Sequence, residues 1–323
     1  MRILLTGAAG FIGSHLTEQL LAVGHQVVGL DNFDDQYDPV NKQSNISLFT
    51  ACPQFEFVLG DIRDQTLVTD LLRQHSCETV VHLAARTGVR ASVNEPKYCI
   101  DVNVNGTLSV LEAMRTANVR RLVMASSSSV YGNSTHVPFR EDDDADHSLS
   151  PYAMSKRSAE LLAYTYHHLY GFDVACLRFF TVYGPRQRPE MAISRFTKQL
   201  FNGQPITLFG DGTAVRNYTY VHDTVAGIVK ATSNLSGYDL LNIGGAECVS
   251  LHDLVHLLEQ VVDRKAIIDW QPAQPGDVTL TCADLNHAAN RIGYRPTVLM
   301  EEGIRRYVEW YKMERISEQT LVG

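Results

Sequence analysis

The sequence predicts an α/β protein built on a doubly wound parallel sheet, followed by a smaller α/β lobe. Short apolar, β-branched runs alternate with amphipathic stretches in the first half of the chain, as in RILLT, FIGSHLTEQLLAVG and QVVGL, and later in FEFVL, TVVHLA and RRLVMAS. Such alternation is typical of βαβ units, in which strands pair in parallel and helices cover both faces. At 323 residues, the chain is long enough to bury a large core and add a second lobe.

The C-terminal part has a looser pattern, which predicts the second lobe. Short strand-like runs such as PITLFG, YDLLNIG and AIIDW are mixed with helical stretches and Gly/Pro turns. We expect residues 1–180 to form the sheet domain, with part of the later chain returning to it, and residues 181–323 to form mainly the second lobe, interleaved with the first. Helices are predicted around residues 190–202, 222–233, 250–263 and 299–313.

Composition and charge exclude several classes of protein. A net charge of −8 argues against nucleic acid or anionic lipid as the main partner. No apolar run approaches the ~20 residues of a membrane helix, and the apolar N-terminus soon meets a glycine turn, so we expect a soluble, cytoplasmic protein without a signal peptide. The six cysteines show neither Cys-x-x-Cys pairs nor metal-ligand spacing, so we expect reduced, packed thiols and no metal site.

A glycine-rich turn near the N-terminus predicts dinucleotide binding. The segment LLTGAAGFIGSHL places Gly7, Gly10 and Gly13 directly after a predicted strand and at the opening of a helix that begins with Phe11 and Ile12. Glycines allow a tight turn, a close approach of the backbone to a pyrophosphate and close packing of helix on sheet, and the helix N-terminus favours the phosphates. The sheet is therefore predicted to be Rossmann-like, with all five residues contacting the cofactor.

Residues at the ends of the following strands agree with this prediction. Asp31 and Asn32 follow QVVGL, where a carboxylate binds the adenosine ribose and repels a 2′-phosphate, which favours NAD over NADP. Asp61 follows FEFVLG, where it either contacts the adenine or caps the next helix, and the sequence leaves both interpretations open. The remaining cofactor contacts predicted at strand ends are Ile62, Leu83, Ala84 and Ala85.

Tyr152 and Lys156 form an i, i+4 pair that a helix places on one face. A tyrosine has an ordinary pKa of ~10 and needs a nearby positive charge to act as a base near neutral pH. A pair at this spacing is common on helix surfaces. Here it follows a predicted nucleotide fold and the segment MASSSSVYG, so we predict a reactive centre that contacts both cofactor and substrate.

Taken together, these motifs resemble those of the extended short-chain dehydrogenases/reductases, in particular the NAD-dependent nucleotide-sugar epimerases and dehydratases. GxxGxxG, Asp-Asn, Asp-Ile, His-Leu-Ala-Ala, Ser-Ser-x-x-Val-Tyr-Gly, Tyr-x-x-x-Lys and Gly-Asp-Gly-x-x-x-Arg occur in the order of that family along essentially the whole chain. The resemblance implies that Ser127, Tyr152 and Lys156 are catalytic and that Asn103 contacts the cofactor, although a buried structural amide is the alternative for Asn103.

The resemblance also implies the first chemical step. Tyr152 removes the proton of the sugar 4-hydroxyl while hydride passes from C4 to tightly held NAD, and Ser127 binds the reacting oxygen. Dehydratases of the family carry Asp-Glu where this chain has Ser128 and Ser129, and decarboxylating members carry Glu at the position of Ser129. Epimerisation needs no additional acid, because the keto ring turns over and takes hydride back on its other face.

The loop FTVYGPRQRPEMA resembles that of family members that epimerise UDP-glucuronate at C4. In those members Thr181 and Arg188 lie against the sugar carboxylate, and UDP-glucose epimerases have Asn at the position of Thr181. For Arg186, a structural role in bracing the loop against the acidic run Glu141–Asp146 is favoured. UDP-glucose or a UDP-N-acetylhexosamine is the alternative substrate, and decarboxylation of UDP-glucuronate is a less favoured alternative activity.

Further substrate contacts are implied by position in the family pattern. Arg216 matches a phosphate ligand of the nucleotide, Asp277 matches a contact to the uridine ribose or a neighbouring basic group, and Ser128 accompanies Ser127 at the sugar. Arg90 and Arg195 are also predicted to face the substrate. The family implies a homodimer, with helices around residues 92–118 and 151–171 as the candidate interface. A catalytically silent NAD-binding protein and an NADP-linked reductase are the other interpretations.

Overall fold

The computed structural model confirms the predicted α/β fold and describes residues 1–272 and 280–322, with side chains up to residue 316. The strands are β1 (Arg2–Thr6), β2 (Gln26–Asp31), β3 (Phe55–Leu59), β4 (Thr79–His82), β5 (Arg121–Ser127), β6 (Asp173–Phe179), β7 (Thr181–Tyr183), β8 (Ile206–Phe209), β9 (Val215–Tyr220), β10 (Tyr238–Ile243), β11 (Cys248–Ser250) and β12 (Ile268–Gln271). The helices are α1 (Phe11–Ala22), α2 (Pro39–Ser47), α3 (Gln65–Gln74), α4 (Val89–Asn94), α5 (Pro96–Ile100), α6 (Gly106–Ala117), α7 (Pro151–Tyr170), α8 (Ala192–Asn202), α9 (Val221–Ser233), α10 (Leu251–Val262), α11 (Asn286–Ile292) and α12 (Met300–Val322).

Seven strands form one parallel sheet in the order β10-β6-β5-β4-β1-β2-β3. Alternate residues of β1 face opposite sides, so that Ile3 and Leu5 belong to one buried core and Leu4 to the other. Helices α1, α9 and α11 cover the first core, and α3, α6 and α7 cover the second. Burial on both faces explains why the strands of this sheet are almost continuously apolar.

The order of the strands determines where a ligand-binding crevice can form. The chain runs outward from β1 through β2 to β3, and then resumes with β4 on the other side of β1. Loops after β1 and β4 therefore diverge in opposite directions and leave a crevice at the carboxyl ends of these strands, where ligands bind in open α/β sheets.

The second lobe contains two small sheets and its own core. The strand orders are β11-β9-β7 and β12-β8. Side chains of α8, α10 and α12 pack around Tyr183 and Tyr220, all part of one buried cluster. Strand β10 returns to the large sheet and pairs with β6, so the two lobes exchange chain.

The apolar run LRFFTVYG has the pattern of one strand but is interrupted at Phe180. Its first part, β6, belongs to the large sheet, whereas β7 pairs with β9 in the second lobe, with Thr181 opposite Tyr218. The Phe180 backbone N–H donates to the Ile243 carbonyl (3.1 Å) at this transition. The interruption turns the chain from one lobe to the other. Residues 184–191, which contain Arg186 and Arg188, follow β7 and form the basic loop.

The predicted helix over residues 92–118 is wrong as a single element. Helix α4 ends at Asn94, and α5 begins at Pro96 after Glu95, whose φ of −126° and ψ of 58° are not helical. Proline disfavours the helical conformation in the residue before it, which explains the break. A π-helical turn over Asp101–Asn105 then joins α5 to α6. By contrast, α7 is a continuous helix of 20 residues.

The prediction of six reduced cysteines is also wrong, because Cys248 and Cys282 form a disulfide. Cys248 lies on β11 opposite Asn217 of β9, and the backbone N–H of Thr281 donates to the Val215 carbonyl of the same strand (3.0 Å). These two pairings bring the Cα atoms of the cysteines to 5.9 Å across 34 residues of sequence. Among the other four cysteines, three are buried and Cys52 is half-buried.

Two classes of feature are missing from the parts of the chain that the structure describes. No helix there is both long and apolar enough to cross a membrane. Within the same residues, no group of three or more His, Cys, Asp or Glu side chains is arranged to hold a metal ion.

Candidate active site

One cleft lies at the carboxyl ends of the central strands and brings together most of the predicted site residues. It is continuous from the turn after β1 to the basic loop after β7. Predicted residues that line it are Gly7, Gly10, Phe11, Ile12, Gly13, Asp31, Asn32, Asp61, Ile62, Leu83, Ala84, Ala85, Ser127, Ser128, Tyr152, Lys156, Thr181 and Arg188. Asn103, Arg90, Arg195 and Arg216 lie outside this lining, and Asp277 lies outside the described residues.

The glycine turn has the form that a pyrophosphate requires. Gly7 has a φ of +73°, and a Cβ there would approach the Ala84 backbone N to 2.7 Å. A Cβ on Gly13 would collide with the Gly7 carbonyl, so Gly13 permits the close packing of α1 on the turn. At Gly10, a Cβ would meet only the Gly7 carbonyl oxygen (3.3 Å) and would occupy the cleft.

The start of α1 faces the cleft without a capping side chain. Gly10 is the N-cap residue and makes no side-chain hydrogen bond, and Phe11, Ile12 and Gly13 of the first turn line the cleft. The first N–H groups of a helix lack partners within the helix and attract anions. Together with the space beside Gly10, this arrangement fits the pyrophosphate of a dinucleotide.

Asp31 is buried at the end of β2. Its carboxylate accepts hydrogen bonds from the backbone N–H groups of Ala9 (3.1 Å) and Phe33 (2.9 Å). Burial raises the pKa of Asp31, and the Lys42 ammonium acts against that rise. Lys42 is itself buried and donates to the Asp34 carbonyl (2.6 Å). The carboxylate is therefore fixed at the position predicted for the adenosine ribose.

Asp61 lies farther along the same wall of the cleft. It accepts from Asn32 Nδ2 (2.9 Å) and forms a salt bridge with Arg63 (2.8 Å). Hydrogen bonding to the Arg63 side chain lowers the pKa of Asp61 to about 2. The helix-capping interpretation of Asp61 is wrong, because Asp64 caps α3 by accepting from the Leu67 N–H (3.0 Å). Contact of Asp61 with adenine stays a prediction.

Asn103 lies behind the cleft wall. Its Nδ2 donates to the Arg86 carbonyl (2.9 Å) and to Ser155 Oγ (2.9 Å), and its Oδ1 accepts from the Arg86 N–H (2.7 Å). The buried amide therefore ties the segment after β4 to α7, as the structural alternative requires. A direct contact of Asn103 with the cofactor stays a prediction.

Tyr152 is fixed in the first turn of α7. Ser150 caps this helix by accepting from the Ala153 N–H (3.1 Å), and the Tyr152 N–H donates to Ser92 Oγ (3.0 Å). The Tyr152 side chain lines the cleft together with Ser127, which lies at the end of β5. Burial raises the pKa of Tyr152, while the Ser127 hydrogen bond and the positive charge of Arg188 act against the rise.

Lys156 is buried one turn after Tyr152. Its ammonium donates to the Ala125 carbonyl of β5 (2.9 Å), and burial lowers its pKa to about 8. The positive charge of Arg188, which belongs to the basic loop of the second lobe, also acts to lower the pKa of Tyr152. The role of Lys156 as the electrostatic partner of Tyr152 stays a prediction.

The pKa of Lys156 predicts a pH-dependent stability. The folded chain releases this proton near pH 8, whereas the unfolded chain keeps it up to the ordinary value of 10.5. Stability rises where the unfolded state binds more protons. We expect the free energy of unfolding of the wild-type protein, relative to that of Lys156→Met, to rise by about 2–3 kcal/mol between pH 8 and 10.5. Urea titrations of both proteins across this range measure the difference, and a constant difference would contradict the buried ammonium.

The two arginines of the basic loop have different positions. Arg186 has a φ of +63°, forms a salt bridge with Glu18 (2.7 Å) and donates to His15 Nδ1 (2.6 Å), so it braces the loop on α1. The acidic run Glu141–Asp146, expected as its partner, does not contact it. Arg188 lines the cleft instead and donates to Thr87 Oγ1 (2.7 Å).

The cleft around Arg188 contains further polar side chains that were not expected. Gln36 Nε2 donates to the Thr87 carbonyl (2.6 Å), and the buried Tyr37 hydroxyl has no described hydrogen-bond partner. Arg86 forms a salt bridge with Asp34, with 2.6 Å between Nη1 and Oδ1. Arg86 and Thr87 follow the strand run TVVHLA after one further alanine, Ala85, so their position near a strand end was the available signal. Gln36 and Tyr37 belong to a long loop, and no local pattern marks them.

Arg195 and Arg216, predicted to contact the substrate, belong to the second lobe, and Arg90, predicted to face the substrate, lies against it. The Arg90 guanidinium lies 4.9 Å from the centre of the Phe209 ring. Burial and the charge of Arg90 both lower the pKa of Arg195, so these two cations are neighbours. Arg216 lies on β9 and donates to the Val215 carbonyl (3.0 Å). Contact of all three with the substrate stays a prediction.

Residues 3–244 match the NAD dependent epimerase/dehydratase family. The chain belongs to this family. It is 41% identical over 310 residues to a UDP-glucuronate 4-epimerase of Thermodesulfobacterium geofontis, covering 96% of this chain and 95% of the relative. The crystal structure of UDP-glucuronic acid 4-epimerase from Bacillus cereus, in complex with UDP-glucuronic acid and NAD, is 37% identical with a TM-score of 0.92, covering 97% of this chain and 100% of that chain.

Epimerases of neutral sugars share the fold of this family member. The UDP-glucose 4-epimerase of Thermotoga maritima, solved with UDP-glucose, is 30% identical with a TM-score of 0.90 over 98% of this chain and 100% of that chain. The fold therefore does not distinguish an epimerase of UDP-glucuronate from an epimerase of UDP-glucose. The side chains that line the cleft must determine which sugar binds. As a member of this family the protein is NAD-dependent, and its glycine turn and Asp31 fit that cofactor.

Proposed function

We propose that this protein inverts C4 of UDP-glucuronate to give UDP-galacturonate. The observation that carries the proposal is the position of Arg188, a cation in the same cleft as Tyr152 and close enough to act on its hydroxyl. The UDP-glucuronate 4-epimerases of T. geofontis and B. cereus, similar over nearly the whole chain, support this choice of substrate.

The cofactor would be held by the turn after β1 and the end of β2. The open N–H groups at the start of α1 and the space beside Gly10 suit its pyrophosphate, and Asp31 suits its adenosine ribose. When bound, NAD supplies a reversible hydride acceptor facing the sugar. A single tightly held cofactor suffices for both directions, since the epimerisation is redox-neutral overall.

Tyr152 acts as the base and Ser127 as its hydrogen-bonding partner. Burial raises the pKa of the Tyr152 hydroxyl and favours its protonated form, so deprotonation depends on the positive charges around it. Arg188 supplies one such charge, and the Lys156 ammonium, with a pKa of about 8, remains charged at neutral pH. Ser127 lines the cleft with Tyr152 and would orient the 4-hydroxyl toward the base.

The residues beside Ser127 favour epimerisation over the other reactions of the family. Ser128 lines the cleft, and Ser129 donates to Ser127 Oγ (2.9 Å). Neither side chain supplies the acid and base that elimination of water at C5 and C6 requires. The carboxylate at the position of Ser129 in decarboxylating members is also missing.

Arg188 would select the sugar carboxylate and hold it. A 4-keto-glucuronate is a β-keto acid that loses CO₂ when its carboxyl bond stands perpendicular to the carbonyl plane. Arg188 and Thr181 line the cleft together and would bind the carboxylate in an orientation that disfavours this loss. A charge-assisted bond of this type contributes about 1.5–3 kcal/mol, or roughly tenfold to a hundredfold in selectivity.

Arg188→Ala tests this role. We expect the ratio of kcat/KM for UDP-glucuronate to that for UDP-glucose to fall about tenfold to a hundredfold, because the carboxylate loses its cation. Residual turnover should release some UDP-pentose, which chromatography of the products detects. Arg186→Ala is the matched control, because this arginine lies on the same loop but binds Glu18, and it should keep the wild-type ratio. An unchanged ratio in Arg188→Ala would show that the loop is only a structural brace.

Two further parts of the proposal concern the nucleotide and the assembly. Arg90, Arg195 and Arg216 are proposed to bind the diphosphate, since neighbouring cations suit two negative phosphates. A homodimer through α6 and α7 is proposed because α7 exposes apolar side chains at Leu161 (52%) and Leu169 (60%). Sedimentation of the purified protein measures its mass. Location in the cytoplasm stays a prediction from the sequence.

A further inference from the structure

Arg188 has an anionic partner on its own loop. Its Nη1 lies 2.8 Å from Glu190 Oε1, and the same nitrogen donates to Thr87 Oγ1 (2.7 Å). Nη2 donates to Met191 Sδ (3.3 Å). The Arg188 side chain is 19% exposed and that of Glu190 is 48% exposed, so the carboxylate lies on the solvent side of the cation. Only Pro189 separates the two residues, which keeps them together.

We propose that Glu190 is an internal competitor for Arg188, which limits how tightly the cleft holds the carboxylate of its sugar substrate. This inference rests on the proposed function, because it assigns the sugar carboxylate to Arg188. An incoming carboxylate must either displace Glu190 or share the guanidinium with it. Displacement costs the existing ion pair, and sharing places two negative charges near one cation. Glu190 therefore opposes the binding of an anionic sugar in both cases.

The competition acts on affinity and not on the chemical step. UDP-glucuronate and its C4 epimer carry the same carboxylate, so Arg188 binds both ground states alike. Such uniform binding lowers KM without raising kcat, and excessive affinity would retain both substrate and product. A neutral sugar meets no such competition, because Arg188 stays paired with Glu190 when that sugar binds. Glu190 thus lowers affinity selectively for anionic sugars, and it keeps the cation neutralised between turnovers.

Glu190→Gln removes the charge and preserves the size of the side chain. The test uses NAD-loaded protein carrying Tyr152→Phe to prevent turnover, with calorimetric titration of UDP-glucuronate and of UDP-glucose. We expect Glu190→Gln to lower the Kd for UDP-glucuronate about twofold to fivefold, the range for a partly exposed ion pair, and to leave the Kd for UDP-glucose unchanged. In protein with Tyr152 intact, KM for UDP-glucuronate should fall by the same factor at constant kcat.

Glu18→Gln is the matched control. Glu18 pairs with Arg186 of the same loop (2.7 Å) and is 60% exposed, but it lies on α1 away from the cleft lining. This variant should change neither Kd. Three results for Glu190→Gln would contradict the proposed competition. They are an equal change in Kd for both sugars, no change in either Kd, or weaker binding of UDP-glucuronate. If the protein with Tyr152 intact does not convert UDP-glucuronate to UDP-galacturonate, the proposed function fails, which is a separate result from a failure of Glu190→Gln alone.

Discussion

Tyr152→Phe is expected to lower kcat by about 10²–10⁴-fold, the usual contribution of a general base. The variant keeps the half-buried ring and loses only the hydroxyl beside Ser127 in the cleft. Bound NAD and the folded structure should therefore be retained. Turnover of UDP-glucuronate followed by product analysis, with NAD released by denaturation and quantified, measures both properties.

Tyr131→Phe is the control for loss of a buried hydroxyl. Tyr131 lies on the turn after Ser127, but its hydroxyl donates to Asn242 Oδ1 (2.6 Å) and does not line the cleft. Tyr131→Phe should lose about 1 kcal/mol of stability and keep kcat within a few fold. If Tyr152→Phe retained kcat, or if Tyr131→Phe lost it equally, Tyr152 would not be the base.

Glu160→Gln is expected to cost about 3–5 kcal/mol of unfolding free energy, because it leaves a buried cation without its counter-ion. Glu160 is fully buried on α7 and pairs with the equally buried Arg178 of β6 (2.9 Å). It also accepts from Ser126 Oγ (2.6 Å), one residue before Ser127. Burial acts to raise the pKa of Glu160, but hydrogen bonds and the charge of Arg178 outweigh it and hold the pKa below its usual value.

Denaturant unfolding measures this loss against an exposed pair. Glu301 and Arg305 on α12 lie 2.8 Å apart, with more than half of each side chain exposed. Glu301→Gln should therefore change stability by less than about 0.5 kcal/mol. Replacing both Glu160 and Arg178 by Met should recover part of the loss, because no unpaired charge remains buried. A loss below about 1 kcal/mol in Glu160→Gln would contradict the account of the buried pair.

Predictions from the sequence succeeded where the necessary contacts are local. Gly7, Gly10 and Gly13 belong to one strand–turn–helix unit, so their spacing alone specifies the turn. Tyr152 and Lys156 were likewise placed on one helix by their separation of four residues. The parallel sheet followed from the alternation of apolar runs, because each strand is buried on both faces.

Predictions failed where distant segments decide the outcome. The Cys248–Cys282 pair depends on two separate pairings with β9, which no spacing between cysteines reveals. The break before Pro96 could have been predicted, because proline disfavours the helical conformation in the residue before it. This signal is local and was present in the sequence.

The identity of the sugar product tests the proposed function most directly. Purified protein with its own bound NAD is incubated with UDP-glucuronate, and in parallel with UDP-glucose, and the products are identified by NMR. We predict that UDP-glucuronate is converted to an equilibrium mixture with UDP-galacturonate without added cofactor, and that UDP-glucose turns over at least about tenfold more slowly. Formation of UDP-pentose and CO₂ alone, or faster turnover of UDP-glucose, would contradict a 4-epimerase that uses Arg188 to bind the sugar carboxylate.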